Sequence, residues 1–386
     1  MRKGPALTNS SPPIGRGERL RAPIFINRAK SAVTSGARRN SPLLRLLGGA
    51  ARRIILAFWF SLLHAVQAQS NSELPPGVEL HEYTGWPSCL LLNASELPVQ
   101  TVVVPAVGGR IVHYSLNGQN ILLENSTSQG AILGPRNEDL YLGGYQCDVG
   151  PGEGALPPHW ILTEAPQRWK SEANFSVELT GAPDTNLGVS LDKDLVLAGD
   201  TGELGVLQRL RNVSGKTVQY SLTDRTICKG GGFVVLPLNR HSKFKAGWAL
   251  THVIGGRTIR DGEQPDAYGV SVSNGILVAQ TGGDVTRLVA DSDAEWIAYA
   301  RGHLLFVKYY LYSPKADYRA DGTSVEVYFD RHATELNPNS PVTSLPPGRS
   351  YVFPEKWLLL PLDKEVTSAA DARKLVIKIP PSPFRK

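Results

Sequence analysis

The sequence predicts an all-β fold: one large domain of antiparallel strands layered into a sandwich. Three observations lead there. From about Ser70 onward, short alternating or β-branched runs such as WIAYARGHLLFVKYYLY and SVEVYFD are separated by Gly, Pro, Asn and Asp, the punctuation of strands and turns. Between such runs fall Asn117-Gly118, Ser214-Gly215, Asn274-Gly275, Arg301-Gly302 and Asp321-Gly322, which read as hairpin turns. No segment keeps an apolar helical period beyond a few turns, and only EVTSAADARK, residues 365–374, reads as a short helix. No internal repeat is present, so the strands belong to one domain rather than an array.

Residues 1–53 are polar, basic and rich in Pro, Gly, Ser and Arg, a composition that buries no core. Arg52-Arg53 is followed by the apolar run Ile54–Val66 and then Val66-Gln67-Ala68. A positive n-region, a short h-region and small residues before a cut, over 54–68, read as a secretory signal peptide. The run is too short to span a bilayer, which takes ~20 apolar residues. An exported protein, periplasmic or extracellular, is therefore expected, with no lipid anchor because no Cys follows Ala68. Met1 is the only methionine, so the long leader is either genuine or the product of a start assigned upstream of a non-Met start; we take the second.

Charge follows from this division. The whole chain is +6, yet residues 1–68 hold 12 Lys and Arg against the single acid Glu18, leaving 29 basic and 34 acidic residues, a net of about −5. The high pI belongs to the leader, and no nucleic-acid partner is expected of the remainder. Cys89, Cys147 and Cys228 form no C-x-x-C pair and no disulfide framework. Neither a phosphate loop nor a Ser-His-Asp order nor a metal-ligand cluster stands out, so no cofactor or metal is expected.

Thr101–Asn125, TVVVPAVGGRIVHYSLNGQNILLEN, reads as three short strands in a tight meander. Gly108 and Gly109 mark a sharp turn or a close approach to another strand. Gly143–Lys170 reads as a long loop, too rich in Gly, Pro and Trp for strand, and such loops are commonly functional. It concentrates Asp148, His159, Trp160, Arg168 and Trp169. Aromatic faces beside polar groups suit sugar recognition; the alternative is that both tryptophans plug one end of the core. Arg110 either lines a binding face or is a salt-bridged structural arginine. His113 reads as a satisfied polar group on its strand, and Lys308 and Glu326 as a cross-strand pair.

The strand–GGRI–hairpin–G-x-N-I-L-L opening resembles the galactose-mutarotase-like super-sandwich, closest to an uncharacterised exported branch. The far end agrees: Leu345-Pro346-Pro347-Gly348, then Glu355-Lys356-Trp357, match that superfamily's L-x-P-G and E-x-W in order. The resemblance covers residues 78–362 and leaves 363–386 as a tail with a short helix and a last strand. It implies a saccharide ligand. Aldose 1-epimerases of this superfamily use a glutamate on a late strand as base and a histidine at a T-N-H strand end as acid. Here the late strand offers Glu335 and Asn337, in phase on one face, and either takes the base's place. Thr223-Asp224-Arg225 stands where T-N-H is expected. Arg225 cannot give up a proton near neutral pH but anchors hydroxyls or a carboxylate. The resemblance thus implies sugar binding, while the departure at Arg225 counts against ordinary epimerase chemistry and suits an acidic sugar. Glu335 is the catalytic candidate; Arg110, His159, Trp160, Trp169, Arg225 and Asn337 are the binding candidates. An enzyme using Glu335 as base and a purely structural exported β-domain are the competing readings.

Overall fold

The computed structural model describes residues 73–135, 141–151, 156, 159–254, 257–260, 269–318 and 322–385, with the backbone alone at 252–254 and 257–260. The signal-like run and Asp321 lie outside the described residues.

The chain begins as a meander: β1 (Val78–Tyr83), β2 (Trp86–Asn93), β3 (Val99–Val104), β4 (Arg110–Leu116) and the two-residue β5 (Gln119–Asn120). Asn117 and Gly118 have φ of 52° and 73°, the left-handed pair that a two-residue hairpin needs. β6 (Gly144–Pro151) follows, then the short helix Trp160–Thr163, β7 (Arg168–Lys170), β8 (Ser176–Thr180), β9 (Val189–Leu197) and β10 (Leu204–Asn212). Next come β11 (Val218–Lys229), β12 (Phe233–Pro237), β13 (Trp248–Ile254), β14 (Arg257–Arg260), β15 (Val270–Ser273), β16 (Ile276–Gln280) and β17 (Thr286–Ala290). The last strands are β18 (Trp296–Arg301), β19 (Leu304–Tyr310), β20 (Val325–Phe329), β21 (Ala333–Pro338), β22 (Thr343–Leu345) and β23 (Ser350–Pro361).

Among the described residues these form two antiparallel sheets. The first runs β1-β2-β3-β4-β6-β11-β21-β20-β17-β13-β14, with β5 and β22 attached to β4 and β11. The second runs β15-β16-β12-β18-β19-β23-β10-β9-β8-β7. Alternate residues of both sheets meet in one core: Tyr145, Cys147, Leu222, Leu336, Val327 and Leu288 from the first, Leu191, Val206, Tyr299, Phe306, Phe353 and Trp357 from the second. This is the all-β layered sandwich that the sequence predicts.

Each sheet also has an outer face. On the second sheet the part formed by β12, β18, β19 and β23 is covered by the C-terminal tail, where Leu362, Val366, Ala372 and Leu375 pack on Val235, Ala298, Val307 and Leu358. The helix expected there runs over Ala369–Lys374, capped by Ser368, which accepts from the Asp371 amide. The last strand expected in this tail is instead a 3₁₀ turn, Leu375–Lys378; it lies flat on a covered face rather than at a sheet edge. On the first sheet, Trp86, Cys89, Val102, Val104 and Val112 are covered by Leu133 and Leu142. The rest of that outer face, from β4 to β17, carries polar side chains.

Three further expectations are corrected. Residues 143–170 are not one long loop, because Gly144–Pro151 forms a central strand between β4 and β11. Its outward residues, Gln146 and Asp148, are polar, which hid the alternation. Ser214-Gly215 is not a hairpin turn: it joins β10 of the second sheet to β11 of the first. Lys308 and Glu326 do not pair, since Lys308 points into the core between the sheets and Glu326 to the outer face of the first. Lys308 bonds Glu355 at 3.2 Å and Glu326 bonds Arg287 at 3.1 Å. No helix among the described residues is long and apolar enough to cross a membrane.

Candidate functional site

The polar outer face is built by strand register. On β6 and β11, Arg225 lies opposite Gln146 and Thr223 opposite Asp148, so all four side chains share one face. β21 adds Glu335 and Asn337, opposite Tyr328 and Glu326 of β20, and Arg287 of β17 lies opposite Tyr328. Arg110 joins at the other end, as the first residue of β4.

Arg225 is the hinge of the network. Its Nη2 donates to both Glu335 oxygens at 3.2 Å and its Nε to Oε2 at 3.4 Å. Its Nη1 donates to Asp148 Oδ2 at 3.3 Å. Glu335, then Asp148, hold the guanidinium's positive charge more firmly than usual, outweighing its burial. Glu335 also accepts from the Tyr141 hydroxyl at 3.1 Å and from Asn337 Nδ2 at 3.3 Å. Burial, then the Glu335 charge, pushes the Tyr141 phenol well above its ordinary value, so it stays a donor. The side chain of Glu335 is only 4% exposed, against 30% for Arg225 and 25% for Asp148.

At the β4 end, Arg110 is buried. It donates to Gly143 O at 2.8 Å, to Gln146 Oε1, and to Glu164 at 3.2 Å. Gln146 passes the chain on to Asp148 Oδ1 at 2.8 Å. Arg110 follows the Gly108-Gly109 turn, whose φ values are +64° and +60°. A Cβ on Gly108 would lie 1.9 Å from the Thr163 carbonyl oxygen, so only glycine lets the turn pass under the 159–167 segment. Buried Lys193 donates to the Gly108 oxygen at 2.5 Å and holds this turn from the core side. Burial pulls its ammonium down to about 8.

At the β17 end, Arg287 Nε donates to the Tyr328 hydroxyl at 2.9 Å, and Tyr328 donates to Glu326 Oε2 at 2.9 Å. A crevice lined by Tyr141, Tyr328, Asp330 and Glu335 opens between the two tyrosines.

The structure therefore brings Arg110, Arg225, Glu335 and Asn337 onto one network. Trp169 is not on it; it sits on β7, at the edge of the second sheet, and packs into the intersheet core. His159 and Trp160 open the short helix whose far end delivers Glu164 to Arg110. Arg225 is matched by two carboxylates, so the preference for an acidic sugar loses its physical basis. Asp224 points the other way, into the core. His113 is satisfied as read: its Nδ1 lies 2.7 Å from the Tyr83 hydroxyl and 3.4 Å from Glu124. Sequence reasoning missed Tyr141, Glu164, Arg287 and Tyr328; polar residues in phase within RLVA and VEVYF were the available signal for the last two. Among the described residues no group of three or more His, Cys, Asp and Glu is arranged to hold a metal ion.

No known protein-family profile and no curated protein sequence matches the chain. Solved structures do. A galactose mutarotase-like protein from Lactobacillus casei is 10% identical, over 71% of this chain and 100% of that one, with a TM-score of 0.49. A candidate aldose 1-epimerase from Escherichia coli K12 is 10% identical, over 71% and 100%, with a TM-score of 0.47. A galactose mutarotase-like protein from Clostridium acetobutylicum is 11% identical, over 74% and 98%, with a TM-score of 0.40. The likeness is one of fold.

Proposed function

We propose that this is an exported carbohydrate-recognising protein that binds its sugar on the outer face of the first sheet, without ordinary aldose 1-epimerase chemistry. The observation that carries the reading is the Asp148–Arg225 pair, a carboxylate acceptor and a guanidinium donor side by side and both about a quarter exposed. Two adjacent hydroxyls of a sugar ask for that combination, since each hydroxyl both donates and accepts.

Glu335 has both carboxylate oxygens already engaged where it sits. One oxygen meets Arg225 and Tyr141, the other Arg225 and Asn337, which leaves little lone-pair capacity for an anomeric proton. Arg225, at the acid's place, gives up no proton at neutral pH, and a missing general acid typically costs ~10²–10⁴ in rate. Polarimetry with glucose and galactose is therefore expected to show no acceleration of mutarotation, while calorimetric titration detects saccharide binding that Arg225→Ala weakens. Rapid mutarotation abolished by Glu335→Gln would instead establish an enzyme. Absence of binding to any saccharide would leave a structural β-domain. Export predicts a mature N-terminus at or near Gln69; a mature chain retaining Arg52-Arg53 contradicts it.

A further inference from the structure

We propose that the face takes a neutral oligosaccharide rather than a single sugar, with Arg287, Glu326 and Tyr328 forming a second subsite beside the Asp148–Arg225 pair. The inference rests on the saccharide reading above and names its ligand class.

Three observations lead to it. First, the Arg225–Glu335 arrangement, a partly exposed guanidinium on a buried carboxylate, is repeated. Arg287 is 26% exposed, much like Arg225, and is likewise held by a buried carboxylate, Glu326 at 3.1 Å. Its guanidinium carbon also lies 5.8 Å from the centre of the Tyr328 ring, which places an apolar face beside a charged fork. Second, the two arginines share a face but stand on β11 and β17, with β21 and β20 between them. Three interstrand steps of 4.7–4.9 Å separate them by ~14 Å. One pair of vicinal hydroxyls, engaged by hydrogen bonds of ~3 Å, does not reach both. Third, Asn337 stands between the two pairs, on β21 and opposite Glu326. Its amide nitrogen is spent on Glu335, and its buried Oδ1 has no donor among the described residues. A ligand crossing from one pair to the other passes over that acceptor and supplies a hydroxyl, directly or through a water.

Charge fixes the class further. Across the face, Arg110, Arg225 and Arg287 are met by Glu164, Asp148, Glu335 and Glu326. Among the described residues of this face each of these arginines is matched and the balance is slightly negative, so a uronic acid meets no unmatched cation there. Neutral hydroxyls fit between donor and acceptor without disturbing either.

The test is calorimetric titration of the whole mature protein with cello-, malto-, xylo- and galacto-oligosaccharides of one to four units, and with oligogalacturonides of the same lengths. In the neutral series that binds, the trisaccharide is expected to bind at least tenfold more tightly than the monosaccharide. Arg287→Ala should lower trisaccharide affinity about tenfold and collapse that ratio towards one. Arg287→Lys, which keeps the charge and the fold but loses the fork, should do most of the same. Equal affinity for one and three units, or unaltered trisaccharide binding by both Arg287 variants, overturns the second subsite and leaves the saccharide reading standing. Tighter binding of oligogalacturonides overturns the neutral ligand. If no member of either panel binds, the saccharide reading itself fails, and this inference with it.

Discussion

Arg225 holds the candidate site together electrostatically, and a double-mutant cycle with Glu335 measures how strongly. Arg225→Ala strands Glu335, whose side chain is 4% exposed, with only the Tyr141 hydroxyl and the Asn337 amide as donors. Stripping one partner from a buried pair costs ~3–5 kcal/mol; Arg225 is itself 30% exposed, so the low end, about 3 kcal/mol, applies. The partly exposed contact with Asp148 adds at most ~1 kcal/mol. Glu335→Gln is milder, ~1–2 kcal/mol, because Arg225 keeps Asp148 and its access to water. Additivity would put the double variant ~4–6 kcal/mol below the parent. Removing both charges leaves no buried charge stranded, so we expect a deficit of ~2–3 kcal/mol and a coupling of at least ~1 kcal/mol. Urea unfolding followed by tryptophan fluorescence, with the slopes compared across the four proteins, gives the numbers. Additivity within ~0.5 kcal/mol would refute the reasoning, since it would mean that the two charges do not interact.

Gly108→Ala should lose more than ~2 kcal/mol by the same assay: a non-glycine residue at φ +64° is strained, and its Cβ must displace the Thr163 carbonyl. Lys193 carries a pH signature. Its folded value near 8 lies below the ~10.4 of an unfolded lysine, so the unfolded chain binds more protons between the two. Stability from this group therefore rises with pH from about 8 towards 10, and Lys193→Met should remove that rise; an unchanged slope would argue against the burial described. Glu124 acts in the acid range. Burial alone would raise its carboxyl, but hydrogen bonds from His113 and Tyr83 reverse this and hold it below the ordinary range. Its contribution is thus full above the unfolded value and lost as pH falls through the folded one, and Glu124→Gln should make the protein less sensitive to acid below about pH 4.

What the sequence made legible was local chemistry. Asn117-Gly118 and Asn274-Gly275 mark hairpins because only a few residues tolerate left-handed backbone, and both turns form as read. The phase of Glu335 and Asn337 follows from the two-residue repeat of a strand. Pairing across sheets is different. Ser214-Gly215 has hairpin chemistry, yet its flanking strands separate into two layers, because each finds partners on both sides there: β10 pairs with β9 and β23, and β11 with β6 and β21. Nothing local in GYQCDVGP told that it would be a central strand. The phase of Arg287 and Glu326 was readable, but not their pairing, which depends on β17 and β20 being neighbours. Trp169 shows the converse error. Its neighbourhood looked like a binding loop, whereas its ring had a core to fill.

The Thr223–Thr226 stretch explains why the face and the core cannot be separated. Along one strand, Arg225 points outward and Asp224 inward. Asp224 accepts from Gln208 at 2.7 Å and from Tyr145 at 3.2 Å. Lys308, reaching across from the second sheet, donates to the Asp224 carbonyl at 3.0 Å and to the Thr226 hydroxyl at 2.7 Å, and pairs with Glu355 at 3.2 Å. Glu355 in turn accepts from Trp357 at 3.0 Å, which gives E-x-W its structural sense: both residues face inward and tie the second sheet to the first. Burial, then the Asp224 charge, pushes the Glu355 carboxyl well above its ordinary range, so the cluster does not strand two anions in the core. The backbone on either side of Arg225 is thus clamped from behind by groups that water does not reach. A guanidinium carried on a clamped strand, and fixed at its tip by Glu335 and Asp148, loses little freedom when a ligand arrives. On the proposed saccharide reading, the buried cluster would contribute to binding in that way, although none of its members touches the face.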